Sequence, residues 1–538
     1  MIYFIPAWYH QNEWKENEQL WYRRRMKSET DDTVKQIQLF QRNQICEYEI
    51  LVLSHAPNLR HFLHRQSMFR APYWSCFDAI QEVRRRKPAV LSFHNLNWPK
   101  NIEFIYSPFA VIAMLNGEKY AQIEFGEDGN PIQIDLYKGG QINRKNIYDD
   151  RGFISCTMIY ENGKMAYEQY LSENGVWKIC HFADGHVVVN PKNNGYLIGV
   201  GESDRHIPYR KLSYASMGEI IEEVLMAYLE QTQKEDIFCA ALHPKHMMML
   251  NRLLGNRKMI FSLFHERFSL VDNPQLKEVF MHANYIVADT EKNKQLIEKA
   301  AKGRFRKIVN IPPYDTRVDW GISQQLHVQK ILVPVDDLPA DLVDAVIQML
   351  AAYLEENSFA RVHLFTRNAD YNRQDIILGQ VRGILEKHGF PPEWAIEENK
   401  NKFENLLDEE DRIPVLFTVE QCVDELSVNK VLREQRILLD LAEVPDLFLQ
   451  ISAVSMGVPQ IVRTQTQYIY PGKNGRINED IRTLKDDLAF YLESLSNWNQ
   501  AMIASYELGK KHTSKSLINQ WKEVIEEVEH DTGTSVGK

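Results

Sequence analysis

Apolar residues gather in short, nearly continuous runs at positions 2–5, 50–53 and 89–93, separated by helix-length polar segments. Runs without polar alternation suit parallel strands covered on both faces, and their spacing gives a βαβ rhythm. The pattern changes near residue 103. From there to 191 the turn pairs Asn116-Gly117, Asp128-Gly129, Gly139-Gly140, Asn162-Gly163, Asn174-Gly175 and Asp184-Gly185 recur. Such pairs tolerate the positive φ of tight hairpin turns, and the alternation Ile132-Gln133-Ile134-Asp135-Leu136 leaves one apolar face. This predicts an antiparallel β-meander inserted into an α/β domain. Helical spacing returns at Met217, Ile220, Ile221, Val224, Leu225, Tyr228 and Leu229, behind a capping box of Ser216 and Glu219. Runs at 238–242, 259–264 and 285–288 continue the first sheet, and Ile311-Pro312-Pro313 offers a hinge. Runs at 330–333, 361–365, 415–418, 437–441 and 459–463 then predict a second parallel sheet.

The expected architecture is α/β, with two Rossmann-like domains and an antiparallel insertion in the first. The first domain is assigned to 1–102 and 192–312, the insertion to 103–191 and the second domain to 313–485. Helices over 486–531 are expected to pack back onto the first domain, ahead of a disordered tail at 532–538. A chain of 538 residues is too long for a single core, which agrees with this division. With 63 basic and 73 acidic residues the net charge is −10, which argues against nucleic acid as a partner. The basic runs Arg23-Arg24-Arg25 and Arg84-Arg85-Arg86-Lys87 are expected on helices, as solvated faces or as patches for anionic lipid or an acidic partner. Six dispersed cysteines without a C-x-x-C pair suit a reducing cytosol. No stretch approaches the roughly 18 apolar residues of a membrane span. A cytoplasmic location is expected, with any contact at the inner face of the cell membrane peripheral.

The turn Ser452-Ala453-Val454-Ser455-Met456-Gly457-Val458-Pro459-Gln460-Ile461 resembles the small-residue turn of the nucleotide-sugar half of GT-B glycosyltransferases. Retaining members of that fold carry two glutamates ahead of and within this turn, for the donor sugar and its ribose. The matching positions here are Val444 and Ser452. Active relatives also follow the first strand of this half with an arginine and a lysine that hold the leaving diphosphate. Here that strand is followed by Pro334-Val335-Asp336-Asp337-Leu338-Pro339-Ala340-Asp341. The resemblance implies a degenerate donor site at Val335, Asp336, Val444 and Ser452, no cofactor and no catalytic residue.

The interrupted first domain, the donor-less second domain, the opening Ile2-Tyr3-Phe4-Ile5-Pro6-Ala7-Trp8-Tyr9 and the stretch from Tyr160-Glu161-Asn162-Gly163 to Tyr170-Leu171 together resemble one family end to end. It is that of the first accessory secretory proteins of the streptococcal and staphylococcal accessory Sec system. The resemblance implies a non-catalytic, cytosolic GT-B-like subunit that works with two other accessory secretory proteins. It further implies binding of glycosylated serine-rich repeat adhesin and delivery to the accessory Sec ATPase and channel. Two other functions stay open: an active transferase using Glu443 beside Val444, and an assembly platform without a ligand.

Other chemistry is sparse. There is no phosphate-binding P-loop and no nucleophile elbow. The pairs His61/His64 and His243/His246 would hold a metal only with further ligands, and none is assigned. In open parallel sheets ligands bind beyond the carboxyl ends of the strands. The residues that follow the first sheet's expected strands are Trp8, Tyr9, His10, His55, His94, His243, His265 and Asp289. Aromatic faces stack on sugars, and imidazole and carboxylate groups bond hydroxyls. These eight are therefore the candidate glycan cleft.

Overall fold

The computed structural model describes residues 1–16, 20, 31–199, 204–264, 267, 279, 282–301, 307–317, 319–395 and 414–530. Two parallel sheets form the frame. The first contains Ile2–Ile5, Tyr48–Val52, Tyr73–Ser75, Ile237–Ala241, Lys258–Leu263, Tyr285–Ala288 and Ile308–Asn310. The second contains Gln329–Pro334, Ala360–Thr366, Phe417–Gln421, Gln435–Asp440, Gln460–Val462 and Gly475–Ile477. Counted by appearance within each domain, both run 3-2-1-4-5-6, with a seventh strand at the edge of the first. In that order the chain reverses direction between strands 1 and 4, so two crevices form above their carboxyl ends. Central strands such as Ile237–Ala241 and Gln435–Asp440 are buried along their whole length, which explains their lack of polar alternation.

One expected strand is not formed. Residues 89–93 do not join the first sheet; Tyr73–Ser75 pairs with Tyr48–Val52 instead. The Ala89 amide bonds the Asp150 carbonyl, and Leu91 and Phe93 pack on the insertion beside Val111, Ile123 and Ile134. The apolar character of that run is satisfied by the insertion's core.

The insertion is a ten-stranded antiparallel sheet beginning at Ile102–Tyr106 and closing on Ser213–Tyr214, past the expected end at residue 191. Asn116 and Gly117, like Asn162 and Gly163, both have positive φ, as a two-residue hairpin turn requires. A buried ion cluster fastens the sheet to the first domain. Arg151, 2% exposed, donates Nε and Nη2 to Asp149 at 2.6 and 2.8 Å, and Nη2 and Nη1 to Asp78 at 2.7 and 2.9 Å. Its remaining proton goes to the Arg85 carbonyl at 3.0 Å. Arg60 pairs with Asp150 at 2.6 Å beside it.

Two local expectations also differ. The Ser216 hydroxyl makes no cap bond to the helix Met217–Leu229, while Glu219 accepts from the Ala215 amide at 3.3 Å. The helix Cys76–Gln81 ends at Glu82 in a left-handed turn, so Arg84 to Lys87 lie on an extended loop, where Arg84 and Arg85 face Asp204 and Glu173. Arg23 to Arg25 and the tail at 532–538 lie outside the described residues.

At the C-terminus, only the last helix crosses back. Leu484–Leu492 and Leu495–Gly509 place Leu488, Tyr491, Trp498 and Ala501 in the second domain's core. The chain then crosses near His512, and Ser514–His530 buries Leu517, Trp521, Val524, Ile525 and Val528 against Val34, Ile37 and Phe40. The 486–531 segment is thus divided between the domains, because its first two helices cover a face of the second sheet. No helix among the described residues is long and apolar enough to cross a membrane.

Candidate functional site

A cleft of about 900 Å³ lies between the two sheets and the crossing segment. The first domain supplies Asp289 to Asn293, Gln295, Leu296 and Asn310, and the second supplies Glu443 to Pro445, Leu447, Thr464 to Gln467 and Tyr470. Lys511, His512 and Gln520 close it from the C-terminal segment. Most of the polar wall is neutral amide and hydroxyl. Two side-chain acceptors, Gln467 Oε1 and Gln520 Oε1, are buried yet have no hydrogen-bond partner among the described residues. Gln467 is aimed by its other end, since Nε2 donates to the Asp289 carbonyl at 2.9 Å. Asp289 is itself 2% exposed and accepts from Asn293 Nδ2 at 2.8 Å.

Of the degenerate donor positions only Val444 lines this cleft, and together they do not build an anion site. Val444 stands on its wall, 37% exposed, and Ser452 lies 6% exposed inside the helix Leu447–Met456. That helix's N-terminus, where a phosphate would find unpaired amides, is occupied by the chain's own carboxylate. Asp446 accepts from the Phe448 and Leu449 amides at 3.0 and 3.1 Å, and Arg367 Nε donates to it at 2.6 Å. Asp336 is likewise committed, accepting from Thr366 Oγ1 at 2.7 Å, the Arg367 amide at 2.8 Å and Arg373 Nη2 at 2.9 Å. Val335 packs against the second domain's core. Burial, with the nearby Asp446 adding to it, lifts the Asp440 carboxyl to about 7. Such a group has the chemistry of an acid catalyst, but it is 1% exposed and faces the Ala442 amide and Gln450 Nε2 rather than the cleft.

Of the seven expected cleft residues that are described, His55 and His94 stand apart from the rest. His55 is buried between Phe77 and Tyr170 and bonds Ser155 Oγ at 2.7 Å, and burial lowers its pKa to about 3. His94 follows a segment that forms no strand. It lies on the insertion, stacked by Phe93 with ring centroids 4.0 Å apart and close to Tyr106. Trp8 packs on Phe62 and donates Nε1 to Asp31 at 3.1 Å. Tyr9 and His243 do meet, at the crevice between strands 1 and 4 of the first sheet, with centroids 5.1 Å apart. His10 is half-buried in the adjoining loop, its amide bonded to the Lys15 carbonyl. His265 lies outside the described residues. Of the seven described, only Asp289 lines the interdomain cleft.

The group that organises the Tyr9 crevice is His246, fully buried. Its Nε2 lies 2.6 Å from the Ala241 carbonyl, so it must carry the proton, and Nδ1 accepts from the Tyr9 hydroxyl at 2.7 Å. Burial holds its pKa near 3. Neither histidine pair gathers further ligands, and no group of three or more metal-binding side chains occurs among the described residues. Gln467 and its neighbours follow the strand Gln460–Val462, where the rule applied to the first sheet would have found them. Nothing in the sequence marks Gln520, which reaches the cleft only because the last helix crosses domains.

The family model for accessory secretory protein 1 of the accessory Sec system matches residues 1–528. The member of that family from Streptococcus gordonii is 32% identical over 535 residues, covering 98% of this chain and 99% of the relative. Among solved structures, the complex of accessory secretory proteins 1, 2 and 3 from Streptococcus pneumoniae contains a chain with TM-score 0.79 and 29% identity, covering 98% of this chain and 99% of that one. The pneumococcal O-GlcNAc transferase GtfA, solved with UDP and GlcNAc, superposes with TM-score 0.70 at 11% identity over 99% of both chains, a likeness of fold alone.

Proposed function

The chain belongs to the family of accessory secretory protein 1 of the accessory Sec system, and from that premise we propose that it is a non-catalytic, cytoplasmic subunit of an export complex. Its partners are two other accessory secretory proteins, as in the solved pneumococcal complex. Its cargo is a glycosylated serine-rich repeat adhesin, passed on to the accessory Sec ATPase. One observation carries the cargo reading. The cleft that holds a nucleotide sugar in an active GT-B enzyme is here walled mostly by amides and hydroxyls, beside Glu291, Lys292, Glu443 and Lys511, with Gln467 Oε1 and Gln520 Oε1 buried and unpartnered among the described residues.

A buried acceptor without a partner costs about 1–3 kcal/mol, so a ligand that donates hydroxyl protons there gains binding free energy. Sugar hydroxyls do so. A diphosphate has no proton to give, and the helix N-terminus that would receive it is already capped by Asp446. The test is calorimetry on the three-protein complex with glycosylated and unglycosylated serine-rich repeat protein, and with UDP-GlcNAc. Binding of the glycosylated form alone, weakened about ten-fold by Gln467→Leu with Gln520→Leu, is the expected result. Binding of neither form, or turnover of the nucleotide sugar, overturns the reading.

A further inference from the structure

Among the described residues, the ten-stranded insertion ends at a free edge. Its terminal strand, Ile102–Tyr106, pairs on one side with Ala110–Leu115 and on the other with no strand of the described residues. Which backbone groups are unused follows from the turn. The Ser107 amide bonds the Ala110 carbonyl at 3.0 Å, so by the two-residue period of an antiparallel pair Ile105 and Glu103 also face inward. The N–H and C=O groups of Ile102, Phe104 and Tyr106 then point outward.

Natural proteins blunt such an edge with lysine, proline or a covering element. This one carries Ile105 and Tyr106, 52% and 64% exposed, and only one charge, Glu103. The segment around Phe93 and Trp98 packs on the sheet through Phe104, and His94 Nε2 lies 3.3 Å from the Tyr106 hydroxyl. Ile112, on the next strand opposite Ile105, is half-buried and extends the apolar surface inward.

We propose that this edge receives an extended strand from a different protein, which adds an eleventh strand to the sheet and covers Ile105 and Tyr106. Backbone groups of Ile102, Phe104 and Tyr106 supply the affinity, and alternate apolar side chains of the incoming strand supply the fit. The occupant is not a second copy of this chain. Five residues pairing with their own symmetry mate fall well below the ~1,000 Å² that a stable interface needs. The edge therefore suits a partner already held to the chain at another surface, and so rests on the hetero-complex reading above.

Hydrogen exchange at single-residue resolution tests this, on the chain alone and in the three-protein complex. The amides of Glu103 and Ile105 are protected in both samples. Those of Ile102, Phe104 and Tyr106 gain at least about ten-fold protection in the complex only, the effect of one net hydrogen bond each. Tyr106→Pro removes an outward N–H without touching the internal ladder and weakens assembly, while a melting transition equal to that of the parent shows the fold intact. Ile105→Lys, with its N–H turned inward, does the same through its side chain. If the complex forms and the outward amides exchange freely, the edge proposal is wrong and the hetero-complex reading stands. Alternating protection in the isolated chain, dependent on its concentration, would assign the edge to a second copy and also overturn the proposal. Failure of the complex to assemble with the unaltered chain sinks both.

Discussion

Lowering the pH from about 7.5 to about 5 should draw a destabilising contribution from two buried histidines of the first domain. His55 and His246 are fully buried and held neutral in the folded chain, with pKa values near 3 against 6.5 for an ordinary imidazole. A histidine whose folded pKa is depressed contributes stability above its unfolded pKa, and loses it as pH falls from there toward the folded value. On unfolding, each takes up one proton in that window, which gives a slope of about 1.4 kcal/mol per pH unit per group. Together the two should cost roughly 4 kcal/mol over that interval, a large share of a domain's usual margin. His243 and His512, also depressed by burial, act in the same direction, whereas the Asp31, Asp150 and Asp440 carboxyls, raised by burial, take up protons in the folded chain over this window and oppose them. Urea unfolding followed by tryptophan fluorescence measures the effect, and His246→Gln should remove about half of the slope contributed by the pair. The variant also discriminates between roles. A histidine that reads a ligand in an open cleft would titrate near its ordinary value and leave stability almost flat over this range. A pH slope left unchanged by His246→Gln would therefore refute the assignment of His246 to the packed interior.

Arg151→Met should destabilise the attachment of the insertion by about 3–5 kcal/mol, because it leaves Asp149 and Asp78 buried or half-buried without their main cation; a thermal transition unchanged within a degree would show the cluster to be dispensable. Gly457 has φ +71°, and a Cβ there would stand 2.7 Å from Met502 and 2.8 Å from Trp320, so Gly457→Ala should cost about 1–3 kcal/mol in chemical denaturation. Restoring Val444→Glu, Ser452→Glu and Val335→Arg together should not create nucleotide-sugar binding in calorimetry. Asp446 still caps the helix, and a glutamate at 452 enters a site that is 6% exposed. Saturable binding by that triple variant, absent in the parent, would mean that the donor site is disabled at three points only.

By itself the sequence determined the layers. Unbroken apolar runs at 2–5, 238–242, 331–333 and 437–439 suit sheets covered on both faces, and Asn-Gly and Asp-Gly pairs at hairpin spacing suit tight antiparallel turns. It also determined what the second domain lacks, since carboxylates absent at 444 and 452 cannot be supplied by any packing. Tertiary structure decided where apolar and polar groups found their partners. Residues 89–93 have a strand's hydrophobicity, but the insertion offered them a core before the first sheet did, and Tyr73–Ser75 took the edge. His55 and His94 both follow apolar runs, yet Ser155, Phe77 and Tyr170 enclose the first while the second lies on the insertion, a contrast that no spacing encodes. The cleft itself joins Asp289, Gln467 and Gln520, residues far apart in the chain that meet only because the last helix crosses between domains. Periodicity reports the solvent exposure of a face over a few residues, whereas a site depends on which distant face arrives opposite it.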